Sequence, residues 1–241
     1  MSRIDMWRLL VLEETDPHAN MAVEEALLRV VEEGYAMNTL RLWRSTRSAV
    51  IGWSEKAEET LNLENCRRLR IPIVRRFTGG GTVYHDLGNL NWTFAFRKDP
   101  KEQGKVISAR RIFETFSSPI IEALRGLGVE AEFREPNALY IKGGKVSGMA
   151  MYVKRRSILC HGTLLIDSDL NLLKLALKCL KNPVTNVNDE APSRLSVKDM
   201  MRLLLEPSEK CLNVDLVEEG LTVYEKELIR SSSPQRYDPI S

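Results

Sequence analysis

The sequence lacks the marks of several protein classes. Its 35 basic and 33 acidic residues leave a formal net charge of only +2, so no strong overall field attracts nucleic acid or an anionic membrane. No apolar run approaches the roughly 20 residues that a membrane-spanning helix needs. The first residues mix Arg3, Asp5 and Arg8 with apolar side chains, which does not resemble an export signal. We therefore expect a cytoplasmic protein that binds neither nucleic acid nor membranes.

The cysteines and glycines also lack the commonest functional patterns. The four cysteines include no C-x-x-C pair and no histidine at zinc-ligand spacing, as is typical of intracellular thiols. No G-x-G-x-x-G follows a first strand. Gly144-Lys145 has neither the upstream glycine nor the following serine or threonine of a Walker loop. Any phosphate site therefore belongs to neither of these two nucleotide-binding folds.

Apolar periodicity predicts both helices and strands. Val23, Leu27 and Val30 recur at helical spacing, which predicts a helix from about Asn20 to Glu33 with the glutamates on its other faces. Large side chains alternate with small or polar ones from Leu90 to Phe96, which predicts a strand with one buried face. Further helices are predicted from Glu55 to Leu69, from Ser108 to Leu127 with a kink or break at Pro119, from Asp169 to about Leu180, and after Ser196. Further strands are predicted from Thr39 to Trp43, Ser48 to Trp53, Ile71 to Arg76, Ala138 to Ile141, Lys145 to Tyr152 and Ile158 to Ile166.

These elements indicate an α/β (α+β) protein with mixed, largely antiparallel sheets flanked by helices. A chain of 241 residues is compatible with one domain, and we expect residues 1–241 to form one. Residues from about 207 to 241 are expected to add a helical extension and a loose or partner-dependent tail. Gly143-Gly144 predicts a tight two-residue turn between two strands. Lys145 would lie at the mouth of that turn.

The segment from Arg75 to Asn91 carries the strongest chemical signal. Three consecutive glycines let the backbone aim successive N–H groups at one anion. Two arginines directly before them supply donors for phosphate or carboxylate. A bare Gly-Gly-Gly is more often a hairpin turn with solvated arginines, but His85, Asp86 and Asn89 in the same loop favour a binding site.

This segment resembles the signature of the lipoate-protein ligase A family, part of the biotin/lipoate ligase superfamily. The run RRFTGGGTVYHDLGNLN from Arg75 to Asn91 matches R-R-x-[ST]-G-G-G-x-V-x-H-D-x-G-N over its full length. The resemblance also covers the runs NMAVEEAL from Asn20, KVSGMA from Lys145, HGTLL from His161 and VTNV from Val184. Their order and spacing agree with the family over about residues 8 to 205.

The resemblance implies a biotin/lipoate ligase catalytic-domain fold and a two-step reaction. ATP, with Mg²⁺, and lipoate would give lipoyl-AMP, from which a lysine of a lipoyl-carrier domain would take the acyl group. Such carriers include the E2 component of 2-oxoacid dehydrogenases and the glycine-cleavage H protein. Lys145 matches the catalytic lysine, which contacts both the carboxyl group and the adenylate phosphate. The expected nucleotide- or substrate-binding residues are Arg75, Gly79, Gly80, Gly81, Thr82, Val83, His85, Asp86, Asn89, Asn137 and His161, with Asp86 also the expected Mg²⁺ ligand.

Other residues have two interpretations. A lone histidine in a strand is usually a core residue, but the match of His161 to the family makes it a pocket-lining residue. Trp43, Trp53 and Trp92 would line an acyl channel or belong to the core. Related octanoyltransferases use a nucleophilic cysteine, but Cys160 and His161 would point to opposite faces of a strand. Cys160 is therefore interpreted as a buried thiol.

The sequence departs from the family pattern at two points, which concern the acyl-adenylate site and the accessory domain. The family usually has Asn-Asp shortly before the catalytic lysine, whereas here the pair is Asn137-Ala138. The chain also ends without the accessory domain of many ligases, which some archaeal-type members obtain from a separate subunit. The alternative functions are an acyl transferase that works without ATP and a non-catalytic module that binds lipoyl-adenylate.

Overall fold

The structure is a computed structural model that describes residues 5–102, 105–180, 182–232 and 237–238. The strands are β1 (Asp5–Val11), β2 (Thr39–Trp43), β3 (Ser48–Ile51), β4 (Ile73–Arg75), β5 (Val83–His85), β6 (Asn89–Arg97), β7 (Ala131–Arg134), β8 (Ala138–Ile141), β9 (Gly144–Val153), β10 (Ser157–Leu165) and β11 (Val214–Glu218). The helices are α1 (Pro17–Glu33), α2 (Ala57–Thr60), α3 (Leu63–Arg68), α4 (Ala109–Gly126), α5 (Leu170–Ala176), α6 (Val197–Leu203), α7 (Leu205–Leu212) and α8 (Val223–Ser231).

A large mixed sheet forms the centre of the molecule. Its eight strands lie in the order β11-β1-β2-β6-β10-β9-β8-β7. β1 is parallel to both β2 and β11, and the pairings from β2 through β6, β10, β9 and β8 to β7 are antiparallel. A second sheet has three strands in the order β4-β3-β5. The prediction of mixed, largely antiparallel sheets flanked by helices is confirmed.

Strand β6 and helix α1 show how sequence produces this arrangement. Leu90, Trp92 and Phe94 alternate along β6 and are buried in the main core. Helix α1 begins after Asp16, whose carboxylate accepts from the Ala19 N–H at 2.8 Å. It ends at Gly34, which adopts a φ of +86°. These caps fix the ends of a helix that packs on β6 and β10.

Several local predictions need correction. The segment from Glu55 to Leu69 is not one helix: α2 and α3 are separated at Leu61, which forms a bridge with Leu177. Helix α5 ends at Ala176, since the chain then turns to make this bridge. The turn between β8 and β9 centres on Lys142 and Gly143, whose φ angles are +45° and +86°, and Gly144 already belongs to β9.

Pro119 does not divide helix α4, which runs from Ala109 to Gly126. A proline inside a helix leaves the carbonyl four residues earlier without its N–H donor. Here that carbonyl belongs to Thr115, and the Ser118 hydroxyl donates to it at 2.8 Å. A serine therefore replaces the hydrogen bond that the proline removes.

The C-terminal segment differs most from expectation. Residues Val214–Glu218 form a strand that extends the main sheet beside β1, where only helix and tail were predicted. Tyr237, expected in a loose tail, is only 2% exposed; its neighbours 233–236 and 239–241 lie outside the described residues. Among the residues described, no helix combines the length and apolar character needed to cross a bilayer.

Candidate active site

The glycine loop, residues 78–82, lies between β4 and β5. The buried side chain of Arg76 stabilises its conformation. The guanidinium of Arg76 donates to the carbonyls of Val50 at 3.1 Å, Gly79 at 2.7 Å and Gly81 at 2.8 Å. Its burial lowers its pKa to about 10, which still leaves it charged at neutral pH. Arg76 is thus a structural cation that shapes the loop.

Arg75, the predicted ATP contact, points away from Arg76 because neighbouring strand residues face opposite sides. Its Nη1 donates to the carbonyls of Gly52 at 3.1 Å, Trp53 at 2.9 Å and Glu55 at 2.7 Å. A Cβ atom at Gly52 would lie 2.1 Å from the carbonyl oxygen of Gly80, so the two loops touch where only glycine fits. Arg75 therefore fixes the segment that supports the glycine loop, and its contact with ATP stays a prediction.

Two cavities meet at the glycine loop. The inner cavity, of about 150 Å³, extends between α1, β2, β6 and β10. The outer cavity, of about 360 Å³, lies between β5, β9 and the segments around α2 and α5. Six residues line both cavities, namely Gly81, Thr82, Val83, Lys145, Gly148 and Thr163. The two spaces therefore share one wall.

Lys145 is the only cation in that shared wall. It lies near the start of β9, where its backbone N–H donates to the backbone carbonyl of Pro183 at 2.8 Å. A Cβ atom on Gly148 would come within 3.2 Å of the Lys145 Nζ, so the glycine leaves room for the side chain to fold over the strand. Burial lowers the pKa of Lys145. Within the described part of the chain, no carboxylate forms an ion pair with its ammonium, which is free to meet an anionic ligand.

A buried hydrogen-bond chain underlies the inner cavity. Glu24 accepts from Arg41 at 2.9 Å and contacts the His161 Nδ1 at 2.9 Å. The His161 Nε2 lies 2.9 Å from the Thr78 Oγ1, which accepts from the Arg76 Nε at 3.0 Å. Because the ionised Glu24 can only accept, the hydrogen bond runs from the Nδ1–H to its carboxylate, and Nε2 is left as the acceptor for the Thr78 hydroxyl. The chain thus fixes the His161 tautomer and links it to the glycine loop.

Glu24 and Arg41 are the residues that the sequence interpretation missed. Glu24 was assigned to a polar face of α1, yet both side chains are completely buried. Burial alone would raise the pKa of Glu24, but the hydrogen bond to His161 and the charge of Arg41 lower it. The available signal was an arginine inside the apolar strand TLRLW, since a buried cation needs an acidic partner. His161 itself lines the inner cavity as expected.

His85, Asn89 and Asn91 form a second polar group beside this cavity. Burial, together with the charge of Arg76, lowers the pKa of His85 to about 3, so its ring is neutral. Asn89 donates to the Asn91 Oδ1 at 3.0 Å. Among the described residues, the His85 Nδ1 and Asn91 Nδ2 have no protein partner, and both residues line the inner cavity. They are buried polar atoms that the described part of the protein leaves without a partner at the wall of the cavity.

Asp86 is engaged by the backbone. Its two carboxylate oxygens accept from the N–H of Gly88 at 2.9 Å and of Asp169 at 2.8 Å. It is absent from the lining of both cavities, and the described ranges contain no cluster of three or more His, Cys, Asp or Glu side chains suited to a metal. This geometry does not fit Asp86 as a Mg²⁺ ligand.

Some of the remaining predicted residues line the inner cavity, and others do not. Asn137 lines the inner cavity and bonds to β9 through the carbonyl and N–H of Met149. Trp43 also lines this cavity, whereas Trp53 is 65% exposed and Trp92 lies in the main core. Cys160 is buried away from the cavities, and its burial strongly raises its pKa. It is therefore a poor nucleophile.

Comparison with known proteins identifies the family to which the chain belongs. The family model of the lipoyl protein ligase A/B catalytic domain matches residues 16–208. A lipoate-protein ligase of Bacillus subtilis is 31% identical over 92% of this chain and 68% of its own length. Subunit 1 of a Thermoplasma acidophilum lipoate-protein ligase A is 28% identical over 95% of this chain and 93% of its own. The chain spans only 56% and 59% of the relatives from Mycoplasma pneumoniae and Staphylococcus aureus.

Solved structures show the same fold. A bipartite lipoate protein ligase from T. acidophilum, studied with its E2 lipoyl domain, superposes with a TM-score of 0.84 at 29% identity, covering 94% of this chain and 91% of its own. A T. acidophilum protein with bound lipoic acid has a TM-score of 0.84 at 30% identity, and a lipoate-protein ligase A bound with ATP has 0.85 at 29%. Each covers 93% of this chain and of its own.

Proposed function

Because the chain belongs to the lipoyl protein ligase A/B catalytic domain family, we propose that it activates lipoate with ATP and transfers the lipoyl group to a lysine of a carrier domain. The observation that carries this proposal is the position of Lys145 in the wall shared by two cavities. A reaction that joins a carboxylate to an α-phosphate needs a cation where its two substrates meet.

We assign the acyl group to the inner cavity and the nucleotide to the outer one. The inner cavity is the smaller, and Met21, Trp43 and Met149 give it an apolar portion. The outer cavity is more than twice as large, which suits the larger ligand. With this assignment the lipoate carboxylate and the α-phosphate of ATP would both lie beside Lys145.

The chemistry then follows from charge. A carboxylate oxygen of lipoate attacks the α-phosphorus of ATP, forming lipoyl-AMP as the bond to pyrophosphate breaks. The Lys145 ammonium reduces the repulsion between the two anions and stabilises the charge that develops on the phosphate. The carrier lysine, as a neutral amine, next attacks the acyl carbonyl, and AMP leaves with the carboxylate oxygen. The neutral His85 ring adds no charge to the site, and its polar atoms can act only through hydrogen bonds.

The same geometry disfavours the two alternative functions. An acyl transferase that formed its thioester intermediate on Cys160 would need an accessible thiolate, whereas the Cys160 thiol is fully buried. A non-catalytic binding module has no need of a half-buried Lys145 without a carboxylate partner. The carriers we propose are lipoyl domains such as that of E2, and the glycine-cleavage H protein. A separate accessory subunit would assist the first step, and Mg²⁺ would accompany ATP by binding its phosphates.

Lipoylation of a purified carrier domain tests the proposal. One reaction contains ATP, Mg²⁺ and lipoate, and a parallel reaction contains synthetic lipoyl-AMP. Product in both reactions supports a complete ligase, and product from lipoyl-AMP alone indicates that activation needs the accessory subunit. No product in either reaction contradicts the proposal. The Lys145→Met variant should keep the wild-type fold and lose activation.

A further inference from the structure

The C-terminal brace, defined as β11, α8 and Tyr237, holds helix α1 and strand β1 in place. β11 pairs in parallel with β1. In α8, the fully buried Glu225 accepts from Arg8 at 2.9 and 2.5 Å. The next residue toward the N-terminus, Tyr224, donates to Glu33 at 2.9 Å near the end of α1. These contacts make the brace part of the folded core.

Tyr237 contacts the middle of α1 and clusters with residues of its N-terminal half, close to the inner cavity. Its ring is 2% exposed, and its hydroxyl donates to Glu25 at 2.9 Å. It belongs to a small hydrophobic cluster that includes Met21, Trp43 and Val50. These three residues all line the inner cavity. Tyr237, which does not line the cavity, therefore packs in the layer behind its apolar wall.

The position of Tyr237 has a mechanical consequence. Protein interiors are close-packed, so removing an aromatic ring leaves a space into which its neighbours relax. The cluster that contains Tyr237 also contains Met21, and the flexible side chain of a methionine fills irregular gaps readily. If Met21 moved back toward the space left by Tyr237, the inner cavity would become deeper.

We propose that Tyr237 sets the depth of the inner cavity and thereby the acyl chain length that it accepts. The inference rests on the proposed function, since it takes the inner cavity to be the acyl site. Tyr237 acts through Met21 and Trp43 and does not touch the substrate itself. A truncated or displaced brace would accordingly shift selectivity toward longer acids while leaving the nucleotide cavity intact.

Calorimetric binding of octanoate and decanoate to the full chain tests this inference without requiring turnover. In Tyr237→Ala we expect the dissociation constant for decanoate relative to that for octanoate to fall at least about tenfold, because decanoate has two more methylenes and accommodating even one of them in an apolar pocket changes binding roughly tenfold or more. ATP binding should stay at the wild-type value. Tyr237→Phe keeps the ring and should retain the wild-type ratio.

Tyr224→Ala is the matched control, since it also removes a tyrosine-glutamate hydrogen bond between the brace and α1 but lies away from the cavity. Its ratio should equal that of the wild type. An unchanged ratio in Tyr237→Ala, an equal change in Tyr224→Ala, or a change in Tyr237→Phe as large as in Tyr237→Ala would overturn the inference. Tyr237→Leu serves if the alanine variant does not fold. Wild-type protein that binds neither acid would instead contradict the proposed function, and the inference with it.

Discussion

Replacing Glu24 by Gln tests the buried chain beneath the inner cavity. The Glu24 carboxylate faces Arg41, and both side chains are fully buried. Gln keeps the shape and can still accept from His161, but it leaves the Arg41 guanidinium without a counter-charge. Removing one partner of a buried ion pair costs about 3–5 kcal/mol. For a chain of this size, roughly 2–4 °C of melting temperature corresponds to each kcal/mol, so we expect a decrease of roughly 6–20 °C.

Calorimetric unfolding of wild type, Glu24→Gln, Arg41→Met and the double variant measures this effect. The double variant should be more stable than the sum of the single losses predicts, because it removes both charges together. The wild type should also lose this stabilisation in acid, because the pKa of Glu24 is lower in the folded protein than in the unfolded chain. The ion pair therefore contributes its full stabilisation above the pKa of Glu24 in the unfolded chain. That contribution is lost as the pH falls through the pKa of Glu24 in the folded protein. A Glu24→Gln variant whose free energy of unfolding lies within about 1 kcal/mol of the wild-type value would refute this reasoning, since an ordinary substitution typically lowers stability by that much.

Three further predictions concern the site. Burial lowers the pKa of Lys145, and the ammonium is the active form. The rate of lipoate activation should therefore fall as the pH rises, with a midpoint below the pKa of an ordinary lysine. A Lys145→Arg variant whose residual rate shows the same alkaline decline would contradict this. Gly162→Ala should destabilise by about 1–3 kcal/mol, as its Cβ would lie 2.4 Å from the buried Trp92 ring, whereas Gly126→Ala, which meets nothing, should not. Thr78→Val should weaken ATP binding more than lipoate binding, and Thr78→Ser, which keeps the hydroxyl, should restore ATP binding. Equal effects of Thr78→Val on the two ligands would count against a role of Thr78 in holding the glycine loop.

The sequence predicted those elements whose pattern is local. The alternation in β6 and the helical spacing and glycine cap of α1 both gave the observed structure. The pairing of β11 with β1 could not be predicted in this way, because it joins residues 5–9 to residues 214–218. Nothing in the short sequence VDLVE indicates a parallel partner so distant in the chain.

The site was predicted in outline because its glycine loop and Lys145 belong to recognisable motifs. The distinct roles of Arg75 and Arg76 were not predicted, since adjacent identical residues look equivalent until the strand places them on opposite sides. The buried pair of Glu24 and Arg41 was missed for a similar reason. A glutamate on an acid-rich helix looks solvated until an arginine from a neighbouring strand is brought against it.

The fate of the lipoate carboxylate oxygen tests the central claim most directly. Lipoate labelled with ¹⁸O in its carboxyl group is incubated with the protein, ATP, Mg²⁺ and a carrier domain, and the released AMP is analysed by mass spectrometry. Attack of the carboxylate on the α-phosphorus, followed by transfer to the carrier lysine, predicts one labelled oxygen in AMP for each lipoyl group transferred. Lipoylated carrier accompanied by unlabelled AMP, or formed without ATP, would contradict the account.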